Sequence, residues 1–277
     1  MKIRSMVAGL RLGAGALVFL LAVVICGRMG HAGAALLTVK VGYPQPSGAQ
    51  IPLWVIPEAK IDQRYGLNVQ GIYISGGARL TQSVVAGDIE MAMTGGAIVN
   101  AILSGADLVY IAIGVPTYGF SVYARPEIKD VSDLRGKVLG VMTKGASSDH
   151  AATALLRQYG MRAGQDVKFV YLGGVREVLA ALDRGVILAG VISSPTTLVA
   201  RRLGYKELVN IGSLKLPYVH NGISTRRALA RQNPELIKAF LKAYVAALKI
   251  TQDEPEVAKR ALARFLATND SAIIEEA

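Results

Sequence analysis

Four turns of small residues are the groups in this sequence best suited to bind a ligand. Each is predicted to lie between the end of a strand and the start of a helix. The turns are Gly76-Gly77, Thr94-Gly95-Gly96, Gly173-Gly174 and Ser193-Ser194. A helix start has free backbone N–H groups and the positive end of the helix dipole, and small residues let a polar group or an anion approach them. One Gly-Gly pair usually only turns the chain, but four in a matched arrangement predict a binding site.

The four turns belong to a pattern that occurs twice. Residues 76–105 and 173–204 each contain a Gly-Gly turn, a short helix, a buried strand, a small-residue turn and a second helix, with Arg79 aligned to Arg176. A duplicated unit predicts two similar lobes that offer the same loops to a ligand between them. In open α/β sheets, ligands bind in a crevice at the carboxyl ends of the strands.

The sequence offers little for catalysis or for holding a metal ion. Of three histidines, His150 and His220 lack Cys or acidic neighbours at the spacing of metal ligands. The only cysteine is Cys26, and no phosphate-binding loop, serine-nucleophile elbow or dinucleotide fingerprint occurs. We therefore expect no metal site, no cofactor and no enzymatic activity.

Composition indicates a folded chain and argues against nucleic-acid binding. The 277 residues are 52% hydrophobic and 18% charged, which permits a core for one or two domains. The formal net charge of the whole chain is +11. Four basic residues and no acidic residue lie in residues 1–34, so residues 35–277 carry a net charge of +7. This remainder has no basic stripe with interleaved aromatic residues, which nucleic-acid recognition normally needs.

Residues 1–34 have the pattern of a secretory signal peptide. Basic residues open the chain, an apolar run follows at residues 12–25, and Ala32-Gly33-Ala34 supplies a cleavage site. The run is shorter than the ~20 residues of a membrane-spanning helix. We expect cleavage after Ala34 and a soluble protein in the periplasm. A lipid anchor at Cys26 is the alternative, which the bulky Ile25 before it disfavours.

Strands alternating with helices predict an α/β fold of mainly parallel sheets. Strands are expected at residues 36–43, 67–74, 108–113, 120–124, 138–142, 167–172, 208–211 and 218–224. A helical region follows to residue 265, with breaks near Asn233-Pro234 and Glu254-Pro255. The chain is expected to cross twice between two lobes: lobe one at residues 35–118 plus 215–277, and lobe two at residues 119–214.

Several segments resemble the periplasmic solute-binding proteins of ABC importers, specifically the nitrate/sulfonate/taurine group related to thiamine-precursor binders. The segments, in order, are VGYPQPSG, GGARLTQSVVAGDIEMAMTGG, DVSDLRGKVLGVMTKGASSDHAATALLRQYGM and NPELIKAFLKAYVAAL. The resemblance covers about residues 39–265. It implies a type II binding-protein fold, a monomer that closes on a small solute by hinge rotation, and an ABC permease in the inner membrane as partner. Members usually continue beyond the position of Ala277, so we expect an incomplete C-terminal part.

The resemblance also implies which residues face the cleft. Neutral donors and helix starts dominate, with Tyr118, His220 and Asn221 near the hinge. The positions are Ser47, Gly48, Gly77, Thr94, Gly95, Tyr118, Ser147, Ser148, Gly174, Ser193, Ser194, His220 and Asn221. Such groups can hold an oxyanion by hydrogen bonds. The nearest basic candidate is Lys144, so a sulfonate-, nitrate- or taurine-like anion and an aromatic or neutral solute both remain open.

Three alternatives remain beside a sulfonate-type binding protein. One is a binder of a thiamine-pyrimidine precursor. Another is an enzyme on the same fold, such as a menaquinone-pathway dehydratase or a thiamine-pyrimidine synthase, although the synthase's cysteine-rich segment is missing and export argues against both. The third is a sensor input domain, for which no signalling segment follows in the sequence.

Overall fold

Ten strands form two five-stranded sheets. A computed structural model describes residues 35–277, so the predicted signal peptide and Cys26 lie outside the described residues. The strands are β1 (Leu37–Tyr43), β2 (Leu67–Tyr73), β3 (Met91–Thr94), β4 (Leu108–Thr117), β5 (Ser121–Ala124), β6 (Val138–Val141), β7 (Lys168–Tyr171), β8 (Ala189–Ile192), β9 (Lys206–Asn210) and β10 (Pro217–Arg226). Their order is β2-β1-β3-β10-β4 in the first sheet and β7-β6-β8-β5-β9 in the second.

Eleven α-helices accompany the strands within residues 35–277. They are α1 (Ile51–Glu58), α2 (Ile61–Arg64), α3 (Gly77–Ala86), α4 (Gly96–Leu103), α5 (Ser147–Gln158), α6 (Val175–Asp183), α7 (Thr196–Arg202), α8 (Arg227–Gln232), α9 (Pro234–Asp253), α10 (Pro255–Leu266) and α11 (Ser271–Glu276). The predicted breaks before α9 and α10 are confirmed, because proline starts both helices, where its missing N–H costs no helical hydrogen bond.

Both copies of the repeated pattern have the same order of elements. α3, β3 and α4 form the first copy, and α6, β8 and α7 form the second. All four residues of β3 and of β8 are buried. The segment after β1 forms two helices, α1 and α2, because Lys60 between them has a left-handed backbone (φ 53°) that no right-handed α-helix accommodates.

The predicted type II binding-protein fold is confirmed, with one strand in each sheet that opposes the other four. β10 runs antiparallel to both β3 and β4, and β5 runs antiparallel to both β8 and β9. Each of these two strands is the first that the chain forms after it crosses from the other sheet. A strand that enters from the cleft joins the sheet at the carboxyl ends of its neighbours, so it must run in the opposite direction.

Each sheet has its own hydrophobic core. Val39, Trp54 and Phe240 lie in the core that the first sheet shares with α1, α9 and α10, and Tyr123 and Leu155 lie in the core of the second sheet. We use lobe one for the part built on the first sheet and lobe two for the part built on the second; the boundaries near residues 118 and 214 stay a prediction. Between residues 35 and 277, no helix has the length and apolarity to cross a membrane.

Candidate functional site

The loops that follow the central strands of the two sheets touch each other. The Gly96 N–H, at the start of α4 in lobe one, donates to Ser147 Oγ, at the start of α5 in lobe two, at 3.2 Å. Asn100 Nδ2 of α4 donates to the Gly145 carbonyl at 2.7 Å. Gln45 Nε2, just after β1, lies 3.3 Å from Ser193 Oγ, just after β8. Small-residue turns from both lobes therefore meet at one cleft.

Glycine is required at the start of α4 because other groups approach it closely. A Cβ atom at Gly95 would lie 2.1 Å from the Val219 carbonyl oxygen and 2.6 Å from Ser147 Oγ. At Gly96 it would lie 2.1 Å from the hydroxyl oxygen of Tyr218. All three distances are far below van der Waals contact, so a side chain here would clash with β10 inside lobe one and, at Gly95, also with Ser147 of lobe two.

A small cavity of about 20 Å³ lies at the centre of the cleft, and we call it the central cavity. Its walls come from both lobes and, among residues 35–277, include no Asp, Glu, Lys or Arg. They are formed by Pro44, Gln45, Gln50, Gly77, Met93, Thr94, Phe120, Met142, Ala146, Ser147 and His220. The polar wall groups are thus amides, hydroxyls and one imidazole, which donate or accept hydrogen bonds without a formal charge.

Three polar atoms in these walls lack a hydrogen-bond partner among the described residues. They are Gln45 Oε1, Gln50 Oε1 and His220 Nδ1, and all three are buried. An unpaired buried polar group typically costs 1–3 kcal/mol, and native proteins therefore leave few of them. Three on one cavity make it the candidate site for a polar ligand.

His220 is neutral at physiological pH. Complete burial lowers the pKa of its imidazole from 6.5 to about 4, because a charged ring would lose its hydration. The ring meets the edge of Phe120, with the ring centroids 4.8 Å apart. The one titratable side chain in the central cavity therefore contributes a neutral hydrogen-bonding nitrogen and not a positive charge.

Two tyrosines close the cleft on the side of the crossovers. Tyr118 and Tyr218 stack with their ring centroids 4.1 Å apart, and the Tyr218 hydroxyl lies 3.5 Å from Ser147 Oγ. Burial raises the pKa of both phenols, so they remain protonated. Thr117 Oγ1 donates to the Leu216 carbonyl at 3.0 Å, so the two crossovers run side by side.

The sequence-predicted site residues are distributed over three places. Gly77, Thr94, Ser147 and His220 line the central cavity. A second cavity of about 300 Å³, which also has Ala277 in its wall, is lined by Ser47, Gly48, Ser193, Ser194 and His220. Tyr118 lines a third cavity of about 370 Å³, together with Lys144, His150 and Arg157.

The remaining predicted residues have mainly structural contacts. Ser148 is fully buried, and its Oγ accepts a hydrogen bond from the Met142 N–H within lobe two. Asn221 Nδ2 donates to the Ala49 carbonyl at 2.5 Å. A Cβ atom at Gly174 would lie 3.1 Å from Ser75 Oγ, across the lobe interface. Gly95 is the close-approach position described above.

Sequence reasoning missed several residues of the site. Gln45 and Gln50 flank the predicted cleft residues Ser47 and Gly48, and a search for polar side chains on both sides of that pair could have found them. Phe120 and Met142 resemble ordinary core residues in the sequence, and nothing in their spacing marks them. In the part of the chain that the structure describes, no cluster of His, Cys, Asp and Glu could hold a metal ion.

Comparisons with known proteins give one consistent result. The sequence model of a family described as NMT1/THI5 like matches residues 63–258, well over half of the chain. A relative is a putative ABC transporter periplasmic binding protein from Brachyspira hyodysenteriae, 23% identical over 256 residues, which are 87% of this chain and 72% of the relative.

Two solved structures share the fold. The periplasmic nitrate-binding protein NrtA from Synechocystis PCC 6803 has a TM-score of 0.76 at 17% identity, over 87% of this chain and 69% of the other. The alkanesulfonate-binding protein SsuA from Xanthomonas axonopodis pv. citri has a TM-score of 0.75 at 20% identity, over 88% and 84%.

Proposed function

The chain belongs to the NMT1/THI5-like family, and from this premise we propose that it is the solute-binding component of an ABC importer. The observation that carries the proposal is the central cavity, where Gln45, Gln50 and His220 present buried polar atoms without partners. The names of similar proteins support the same role: one is a putative ABC transporter periplasmic binding protein, and two are an alkanesulfonate-binding and a nitrate-binding protein. The protein would work in the periplasm and deliver its solute to a membrane permease.

Solute capture requires the lobes to separate. The central cavity of about 20 Å³ has room for about one water molecule and none for an organic solute. Within residues 35–277, the adjacent crossovers, Thr117 to Ser121 and Leu214 to Pro217, are the only chain connections between the two sheets, so they provide the hinge. Opening would expose the polar atoms of both lobes, and closure would enclose the solute.

The chemistry of the walls favours a small polar solute that is held by uncharged hydrogen bonds. A nitrate or sulfonate ion, as the names of the two structural relatives suggest, would have to be held without a countercharge in the central cavity. Hydroxyls such as Thr94 and Ser147 can supply such bonds, but they balance a buried charge less well than arginine does. Neutral polar solutes are therefore the favoured ligands, and anions held only by hydrogen bonds are the second candidates.

Binding measurements on the full chain test the proposal. Thermal-shift screening against pyrimidines, aromatic acids, alkanesulfonates, taurine and nitrate should give at least one stabilising solute, to be confirmed by calorimetry. Ser147→Leu should abolish that binding, since a leucine side chain would fill the cavity. Ser104→Leu, at an exposed position beyond the end of α4, is the matched control and should bind normally. Equal affinity of the two variants would remove the central cavity from the binding site.

A further inference from the structure

We propose that residues 268–277 form a latch that holds lobe two against lobe one and so limits how far the cleft opens. The proposal rests on the proposed function, since the cleft that the latch holds closed is the one assigned to the solute. The latch contains α11, a short helix that follows the last long helix of lobe one. It makes charged contacts with α7 of lobe two, and it makes both apolar and charged contacts with lobe one.

Glu276 is the principal contact with lobe two. Its carboxylate lies 2.7 Å from Arg201 Nη2 and accepts a hydrogen bond of 2.8 Å from Thr197 Oγ1. Its backbone carbonyl accepts a hydrogen bond from Ser194 Oγ at 2.5 Å. Arg201 is itself fixed by a 2.9 Å hydrogen bond to the hydroxyl of buried Tyr123. Glu276 is thus bound to lobe two through both its side chain and its backbone.

Asp270 makes the second charged contact. Both of its carboxylate oxygens contact Arg202, and one also accepts hydrogen bonds from the N–H groups of Ala272 and Ile273, which caps α11. The Arg202 guanidinium and these backbone donors lower the pKa of Asp270 to about 2. Arg201 and Arg202 lie in the last turn of α7, where the helix dipole favours positive charge.

The opposite side of the latch is attached to lobe one. Ile274 packs against the core of the first sheet, which contains Trp54 and Phe240. Glu275 Oε1 lies 2.5 Å from Lys259 Nζ of α10. The latch thus bridges the two lobes, and the lobes cannot separate fully at this edge unless its contacts with Arg201 and Arg202 break.

The position of the latch explains why several predicted cleft residues are covered. The second cavity, with Ser47, Gly48, Ser193 and Ser194 in its walls, is bounded by Ala277. A Cβ atom at Gly48 would lie 1.8 Å from the Ala277 carbonyl oxygen. Ser194 binds the latch through its hydroxyl. One edge of the cleft is therefore closed by the chain itself.

A charge swap tests the latch. Partly exposed ion pairs are weak one by one, but here two adjacent pairs would break together on opening. In the free full chain, the double variant Arg201→Glu/Arg202→Glu should increase the radius of gyration in X-ray scattering. It should also accelerate amide exchange about fivefold in residues 94–103 and 143–150, which carry the contacts between lobes. Adding Asp270→Arg and Glu276→Arg should restore both values.

A second pair of arginines provides the matched control. Arg135 and Arg162 both contact Asp166 inside lobe two, so Arg135→Glu/Arg162→Glu changes the charge equally without touching the latch. This control should leave the scattering and the exchange unchanged. If a charge-reversed variant misfolds by circular dichroism, Arg201→Gln/Arg202→Gln replaces it, with the same opening expected. The proposal is overturned if a folded latch variant does not open, or if the charge swap does not restore the original values. Neither measurement needs a solute. A negative solute screen would therefore count against the proposed function and not against the latch.

Discussion

At the scale of single residues, the candidate site depends on uncharged groups that burial keeps uncharged. His220 shows this most clearly, since its imidazole is enclosed and its Nδ1 has no partner among residues 35–277. At the level of sequence, the family resemblance implies only that His220 lies near the hinge. Its protonation state follows from its burial, which exists only in the folded chain. The amide oxygens of Gln45 and Gln50 complete the same neutral surface.

The lowered pKa of His220 predicts a specific loss of stability in acid. The unfolded chain binds a proton at this residue near pH 6.5, while the folded chain does so only near pH 4. The free energy of unfolding should therefore decrease as pH falls from 6.5 to 4, by at most about 3 kcal/mol from this residue. Urea unfolding of the protein and of His220→Asn across this range should show a shallower decrease for the variant. Parallel curves would contradict the assignment.

At the scale of elements, the start of α4 is the point where sequence and packing requirements coincide. The Thr94-Gly95-Gly96 turn was predicted as a helix start with accessible N–H groups, and α4 does begin at Gly96. What the pattern did not show is that the Gly96 N–H is bonded across the cleft to Ser147 Oγ. The same turn thus serves both as a wall of the central cavity and as a contact between lobes.

Replacement of Gly95 tests this requirement. Gly95→Ala places a methyl group against the Val219 carbonyl and Ser147 Oγ, and such overpacking typically costs about 1–3 kcal/mol. Chemical denaturation should show that loss in the free energy of unfolding. Gly71→Ala is the control, because the nearest atom to its Cβ would be 3.5 Å away, an ordinary contact. If the Gly95 variant is as stable as the Gly71 variant, the turn shifts to accommodate the methyl group and glycine is not required at this position.

At the scale of the whole molecule, closure results from contacts distributed around the cleft. The crossovers join the lobes on one side through Thr117, Tyr118 and Tyr218. Asn100 and Gly145 join them at the start of α5, and the latch joins them through α7. A bound solute would add its own hydrogen bonds to these contacts between the lobes. The affinity for the solute therefore depends on how strongly the existing contacts already favour the closed state.

Loss of the Asn100 side chain tests this distribution. Asn100→Ala removes the 2.7 Å bond to the Gly145 carbonyl, and a net hydrogen bond contributes about 1 kcal/mol, so closure should weaken about fivefold. Amide exchange in residues 143–150 should become faster while the melting temperature changes little. Asn68→Ala, which loses a bond to Thr38 inside the first sheet, should show no such change. Identical exchange in the two variants would exclude Asn100 from closure.

The sequence alone determined the fold class, the duplicated unit, the breaks before α9 and α10 and the family resemblance, because these depend on local spacing and on residues close together in the chain. It did not determine the direction of β5 and β10, the role of Gln45 and Gln50 in the central cavity, or the contact of Glu276 with Arg201. Each of these joins residues far apart in the chain, in the last case 276 with 201. Only the tertiary structure brings such groups together, since their partners are chosen by packing and not by spacing.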